Sequence, residues 1–311
     1  MTELVSTYAR DLVAKSFGDD RVLITGCSGW FGRTALDLIG PLSLPTLALA
    51  SRPRSIRIGD RQIECRVWDD AEVAEFGPTV VLDCAFLTRD RVAGMTLNDY
   101  AAANRILIDR LVQATRQPSV RLALTVSSGA AVYPRDALSA PIEDNPYGYL
   151  KREAERRLED AAQDAAAVPV VVRAWSVSGA HVQKPQGYAL ASMIRDAAEG
   201  MIRITSGRPV FRRYVLADEL LAVGIAEGSV GPAVVDSGGE LVEMAELASR
   251  VVAVVNPHAV VQRGELDTRD PDRYHSDGKD WKQRCQRWGL QSAPLALQIE
   301  ITARGELGSG W

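Results

Sequence analysis

Val22-Leu-Ile-Thr-Gly26-Cys-Ser-Gly29-Trp-Phe-Gly32-Arg-Thr-Ala-Leu-Asp-Leu-Ile39 decides the fold. It begins as a short apolar, β-branched run, passes three glycines, and continues with apolar residues at helical spacing: a strand, a tight turn and a helix start. Such a turn presents the unpaired N–H groups and positive dipole end of the helix to an anion, and glycine lets the backbone come close to a phosphate. The spacing is G-x-x-G-x-x-G rather than the G-x-G-x-x-G of other dinucleotide sites. Gly26, Ser28, Gly29, Trp30, Phe31 and Gly32 are therefore candidate cofactor-binding residues. A glycine-rich turn without a ligand is the competing interpretation.

The chain has 311 residues, 46% hydrophobic, enough for one large core or two modest ones. Its net charge of −4 argues against a nucleic-acid binder, which would carry a basic stripe. Cys27, Cys65, Cys84 and Cys285, like His181, His258 and His275, are dispersed without metal-site spacing, so no metal is expected. No apolar run approaches a membrane span and the polar N-terminus lacks a signal-peptide core, so a cytoplasmic protein with no membrane partner is expected.

Leu4, Val5, Tyr8, Leu12 and Val13 form a helical stripe, which predicts a helical extension over 1–19 lying against the core. Strands are expected at Arg21–Thr25, Thr46–Ala50, Gln62–Val67, Thr79–Cys84, Arg121–Val126 and Val170–Arg173, alternating with helix-length segments. That alternation specifies a doubly wound α/β fold, a parallel sheet with helices on both faces. After the second strand stand Ser51 and Arg52, where a carboxylate would favour a free ribose 2′-hydroxyl. Their presence favours NADP(H), with Arg52 as the 2′-phosphate partner and NAD(H) the alternative. Further strands are expected at Ala233–Asp236 and His258–Gln262, with a helix over Leu241–Val252.

Pro146-Tyr147-Gly-Tyr149-Leu-Lys151 opens a long charged helix. Tyr147 and Lys151, four apart, share one helix face, and an ammonium beside a phenol favours the phenolate and lowers its pKa toward general acid/base work. Y-x-x-x-K also arises by chance, and gains weight only from its context.

Taken together these residues resemble the extended short-chain dehydrogenase/reductase family, of the NAD(P)-dependent sugar-nucleotide epimerase/dehydratase type, from roughly Arg21 to Trp288. The resemblance rests on Thr25-Gly26-x-x-Gly29-x-Phe31-Gly32, on Asp69, Ala85 and Asn104, and on Tyr147-Gly148-x-x-Lys151 after Pro146. It continues through Arg173 with Gly179, Arg212-x-Tyr214-Val215 with Asp218, and Ser237-Gly238-Gly239 before Glu246. It implies that Asp69 lies near the adenine, that Ala85, Phe86 and Asn104 line the cofactor site, and that Lys151 binds the nicotinamide ribose. It implies Tyr147 as the proton-transfer group and Trp175, Ser176 and Arg212 as substrate contacts. The family hydroxyl four residues before Tyr133 would fall on Gly129; Ser128 takes that role here through an insertion or bulge, or Ser127 does, or the hydroxyl is missing.

The domain organisation expected is a dinucleotide-binding domain over 20–174, with return segments near 211–225 and 232–252. A smaller, interleaved substrate-binding domain would span 175–210 and 253–311. The expected function is hydride transfer at a ring carbon of a nucleotide-activated sugar, by an epimerase or reductase. An NADPH-dependent ketoreductase is the first alternative and a non-catalytic dinucleotide-binding scaffold the second. Gly129-Ala130-Ala131 lacks the Asp-Glu pair of the family's 4,6-dehydratases. Family members commonly dimerise through the helices carrying Asn104 and Tyr147, so the resemblance implies a homodimer.

Overall fold

A computed structural model describes residues 5–134 and 138–308. Six parallel strands form the central sheet in the spatial order Thr46–Ala48, Val22–Thr25, Val80–Asp83, Leu122–Ser128, Val168–Ala174, Ala233–Asp236, beginning at the 46–48 edge. Side-chain alternation along these strands divides the core. Val22, Ile24, Val80, Leu82, Leu122, Leu124, Val170 and Val172 enter one cluster with the Ala217–Gly228 helix. Leu23, Val81, Ala123 and Val171 enter the opposite cluster, with Leu111 and Leu158 from the Leu97–Thr115 and Pro146–Ala165 helices. A strand buried on both faces needs no polar positions, which explains the nearly continuous apolar runs. The chain folds as the doubly wound α/β sheet that the alternation specifies.

The segment at 62–67 departs from expectation. Arg61–Cys65 pairs antiparallel with Arg54–Ile58 in a hairpin, and joins the main sheet only through a Leu49–Arg66 bridge. Gly59 and Asp60 form its two-residue turn, with Gly59 at φ 59°, and Ile56 and Ile58 alternate with exposed residues, a pattern for a one-faced ribbon. The helix expected over 241–252 starts at Met244 instead, because Glu240–Glu243 pairs antiparallel with Phe211–Tyr214. Leu4 lies outside the described residues. Val5, Leu12 and Val13 are buried, but Tyr8 faces solvent.

The segment 175–210, expected to lie in the smaller substrate-binding domain, contains the Ala189–Ala198 helix and the Met201–Ile204 strand, which pairs with Val260–Arg263. Leu190, Ile194 and Ile202 pack with Tyr214, Leu247, Leu295 and Ile299 in a second, separate core. Among the described residues no helix is long and apolar enough to cross a membrane.

Asp218 and Glu219 begin the Ala217–Gly228 helix inside the protein. The Ser6 N–H donates to Asp218 at 2.6 Å; the Ser292 hydroxyl and Ala293 N–H donate to Glu219 at 2.9 and 2.8 Å. Burial, reinforced by the Asp218 charge, raises the Glu219 pKa to about 8. The native state therefore keeps a proton that the unfolded chain releases near pH 4.5. Stability should fall as pH rises from the unfolded toward the folded value. Thermal unfolding of the wild type should shift downward from about pH 5 to about pH 8, and Glu219→Gln should flatten that decline. Equal slopes in the two proteins would rule out a protonated Glu219.

Candidate functional site

All six strands point their carboxyl ends toward one edge. The order reverses between Val22–Thr25 and Val80–Asp83, the place where open α/β sheets bind ligands. A cleft of about 1580 Å³ runs along that edge. At one end lie Gly26, Ser28, Gly29, Trp30 and Phe31; Ser51, Trp68, Ala85 and Phe86 line it further on, and Tyr133, Tyr147, Arg212 and Tyr274 also face it.

The turn is built around Gly26, at φ 63°, where a Cβ would sit 2.6 Å from the Cys84 carbonyl oxygen. Any side chain would push the turn off the neighbouring strand end. The Trp30–Ile39 helix starts from Gly29 with no side-chain cap, leaving first-turn N–H groups for an anion. Gly32 lies under the turn, outside the cleft lining.

At the 146 end, Asn145 caps its helix by accepting from the Gly148 N–H at 3.0 Å, and Pro146 occupies the first turn. That start puts Tyr147 and Lys151 on the face above the end of the Leu122–Ser128 strand. The two serines there are separated by strand alternation. The Ser127 hydroxyl donates to buried Glu155, whose carboxylate also takes two bonds from Arg173, at 3.0 and 2.6 Å. Ser128 turns the other way: its Oγ lies 3.2 Å from the Tyr274 hydroxyl and accepts from the Ala130 N–H at 3.2 Å. The strand reaches Ser128 in regular register with Ala174, and a 3₁₀ turn over Gly129–Ala131 follows, so no bulge in the paired strand is needed.

Lys151 is buried, with Nζ donating to the Val126 carbonyl at 2.7 Å and lying 3.6 Å from the centroid of the Phe86 ring. Burial pulls its pKa down to about 8, against the opposing pull of Asp83 and Glu155. Tyr147 does not follow the sequence expectation. Burial raises its pKa, and the Ser128 hydroxyl only partly offsets that rise. The phenol of the protein alone is thus held protonated, because desolvation outweighs the Ser128 hydrogen bond, while the ammonium is engaged by Val126 and Phe86.

Several expected ligand contacts lie away from the cleft lining. Asp69 spends its carboxylate capping the Asp70–Phe76 helix, accepting from the Glu72 N–H at 2.9 Å. Asn104 is fully buried: its Oδ1 accepts from the Leu87 N–H at 2.9 Å and its Nδ2 donates to the Tyr100 carbonyl at 3.2 Å. It thus braces the 84–88 segment. Arg52 is exposed beside Ser51, whereas Trp68 and Arg110 line the cleft nearby. Trp175 and Ser176 also lie outside the lining; the Trp175 indole N–H donates to Asp236 at 2.7 Å. Arg212 faces the cleft but is held by both oxygens of Asp272, at 2.8 and 3.1 Å.

Sequence reasoning missed Tyr274, Tyr133 and Glu155. Tyr274 reaches the site because Asp272–Arg273 pairs with Val210–Phe211, a contact no local pattern announces. Tyr133 and Trp175 pack around it, with centroids 5.5 and 5.0 Å from its ring. Glu155 was legible as one turn beyond Lys151 on the same face.

Residues 22–223 match the profile of the NAD dependent epimerase/dehydratase family. No curated protein was matched by sequence. Among solved structures, the UDP-glucose 4-epimerase of the hyperthermophile Thermotoga maritima, with UDP-glucose, superposes at TM-score 0.72 and 17% identity, covering 92% of this chain and 98% of that one. The UDP-glucose 4-epimerase of Brucella ovis, in complex with NAD, gives 0.73 and 18%, with 92% and 98% covered. An NAD-dependent NDP-hexosamine 5,6-dehydratase of tunicamycin biosynthesis gives 0.72 and 16%, with 92% and 97% covered. These similarities establish a shared fold.

Gly129 has no room for a side chain: its Cβ would fall 2.3 Å from the Trp175 ring. Gly129→Ala should displace that indole, costing about 1–3 kcal/mol of stability and shifting tryptophan emission. Unchanged emission and stability would refute the close packing of the indole against Gly129.

Proposed function

The chain belongs to the NAD-dependent epimerase/dehydratase family, and from that premise we propose that it moves hydride between a nicotinamide dinucleotide and a ring carbon of a nucleotide-activated sugar. One observation carries the reading. The cleft that starts at an uncapped helix N-terminus also contains the phenol of Tyr147, beside the Ser128 hydroxyl and one helical turn from a buried ammonium.

The residues fit the dinucleotide. The turn from Gly26 to Phe31 offers N–H groups to its pyrophosphate, Ser51 stands at the end of the second strand for the adenosine ribose, and Lys151 lies beneath the far part of the cleft. The bound dinucleotide supplies the hydride acceptor and donor. Tyr147 passes a proton to or from the sugar oxygen, its raised pKa suiting donation, while Ser128 steadies the same oxygen and Lys151 adds positive charge. Arg212 meets the diphosphate by sharing itself with Asp272. The turn after Ser128 carries no carboxylate, which favours an epimerase or reductase over elimination by an Asp-Glu pair.

The second reading is an NADPH-dependent ketoreductase, favoured by Ser51 and Arg52 in place of a carboxylate. No ion pair occupies Arg52 among the described residues. NADP(H) is accordingly the preferred cofactor in this proposal.

Native mass spectrometry of fresh protein, followed by NADH and NADPH titrations, tests the cofactor. Tight NADPH binding that Arg52→Ala weakens would favour the reductase; co-purified NAD would favour an epimerase, and binding of neither would remove both. Turnover is screened with NAD⁺ and NADP⁺ against UDP-, dTDP- and GDP-linked hexoses. Tyr147→Phe should lower turnover about 10²–10⁴-fold with cofactor affinity unchanged, whereas a non-catalytic scaffold would lose nothing. Lys151 is charged below about pH 8 and neutral above it, so kcat/KM should fall as pH rises through that value; a profile flat to pH 10 would show that the ammonium charge is not needed.

A further inference from the structure

We propose that Tyr274 is a positioning residue for the reacting oxygen: its phenol donates to Ser128 Oγ and so aims the Ser128 proton at Tyr147 and the substrate. The proposal rests on the reading of Ser128 above.

A serine hydroxyl is a rotor with one proton and two lone pairs, so its usefulness as a donor depends on what fixes it. Ser128 Oγ has two neighbours besides Tyr147, the Ala130 N–H at 3.2 Å and the Tyr274 hydroxyl at 3.2 Å. The Ala130 N–H can only donate. If Tyr274 accepted the serine proton, nothing would remain for the oxygen on which Tyr147 acts. If Tyr274 donates, both lone pairs of Ser128 are filled and its proton has one direction left, toward Tyr147.

Tyr274 is well placed to impose that choice. Tyr133 and Trp175 pack against its ring, and the Arg212 guanidinium lies 5.5 Å from its centroid, fixed in turn by Asp272. Backbone pairing of Asp272–Arg273 with Val210–Phe211 anchors the segment just before it. Burial raises its pKa, so the phenol keeps its proton and stays a donor at neutral pH. The titratable or charged groups around the hydroxyl pair are Tyr147, Arg212 with its partner Asp272, and Arg89, with Tyr188 and Tyr100 acting on Tyr147. The missing side chain at Gly129 completes the arrangement, because the Trp175 indole that packs on Tyr274 fills that space.

Tyr274→Phe keeps the ring and its packing and removes only the hydroxyl. In the turnover assay it should lower kcat about tenfold with KM and cofactor affinity unchanged. Combined with Ser128→Ala, it should add nothing beyond Ser128→Ala alone. A change in KM only, or multiplicative effects in the double variant, would overturn the proposal. Loss of activity in Ser128→Ala with none in Tyr274→Phe would reject the role of Tyr274 while leaving the hydride-transfer reading intact. Full activity in Ser128→Ala, or no turnover of any sugar nucleotide, would overturn both.

Discussion

A buried ammonium is costly, and the strand ends around this cleft are arranged to keep one. Among the described residues Lys151 has a single hydrogen bond, to the Val126 carbonyl, and a phenyl face against its charge. Buried Asp83 and Glu155 pull its pKa back up against desolvation, while burial raises the pKa of Asp83 itself. Neither is free to form a tight ion pair with it. Asp83 accepts from Thr25 and Thr125 at 2.6 and 2.8 Å, and Glu155 is bound by Ser127 and Arg173. Each carboxylate is fixed by its own strand neighbours and acts on Lys151 through the field alone. The result is a cation weakly enough held that its pKa lies near 8 rather than above 10.

That arrangement depends on sheet register. Thr25, Asp83 and Thr125 stand side by side on three adjacent strands, so the carboxylate spans the place where the strand order reverses. The Thr25 hydroxyl also accepts from the Ala85 N–H at 3.3 Å, tying the strand end to the segment carrying Phe86. A slip of one residue would turn all three polar groups to the opposite face. The same alternation sends Ser127 toward Glu155 and Ser128 toward Tyr274, so two adjacent hydroxyls acquire different surroundings without any special backbone geometry.

The sheet and its helices were legible because period-2 and period-3.6 patterns are local. The turn at 26–32 and the Tyr147/Lys151 pair were legible for the same reason. Gln62–Val67 also looked like a strand and became one, but no single strand's pattern shows whether its partner is the main sheet or a neighbouring ribbon. The Gly59-Asp60 turn was the clue. The pKa of Tyr147 could not be read at all: helical spacing brings a cation near a phenol, but it carries no information about desolvation or about what else binds the cation. Tyr274 and Arg110 reach the cleft through long-range packing, and Arg212 is met by an aspartate sixty residues away in sequence.

Gly129-Ala130-Ala131 shows how packing limits chemistry. A carboxylate immediately after Ser128 would have to displace the Trp175 ring, which is held at its indole N–H by Asp236 and at its backbone N–H by Ser237, at 2.9 Å. Arg173, beside Asp236, ties the same network back to Glu155 and hence to the field at Lys151. Introducing an acidic group at Gly129 would displace the Trp175 ring and with it the aromatic wall around Tyr274.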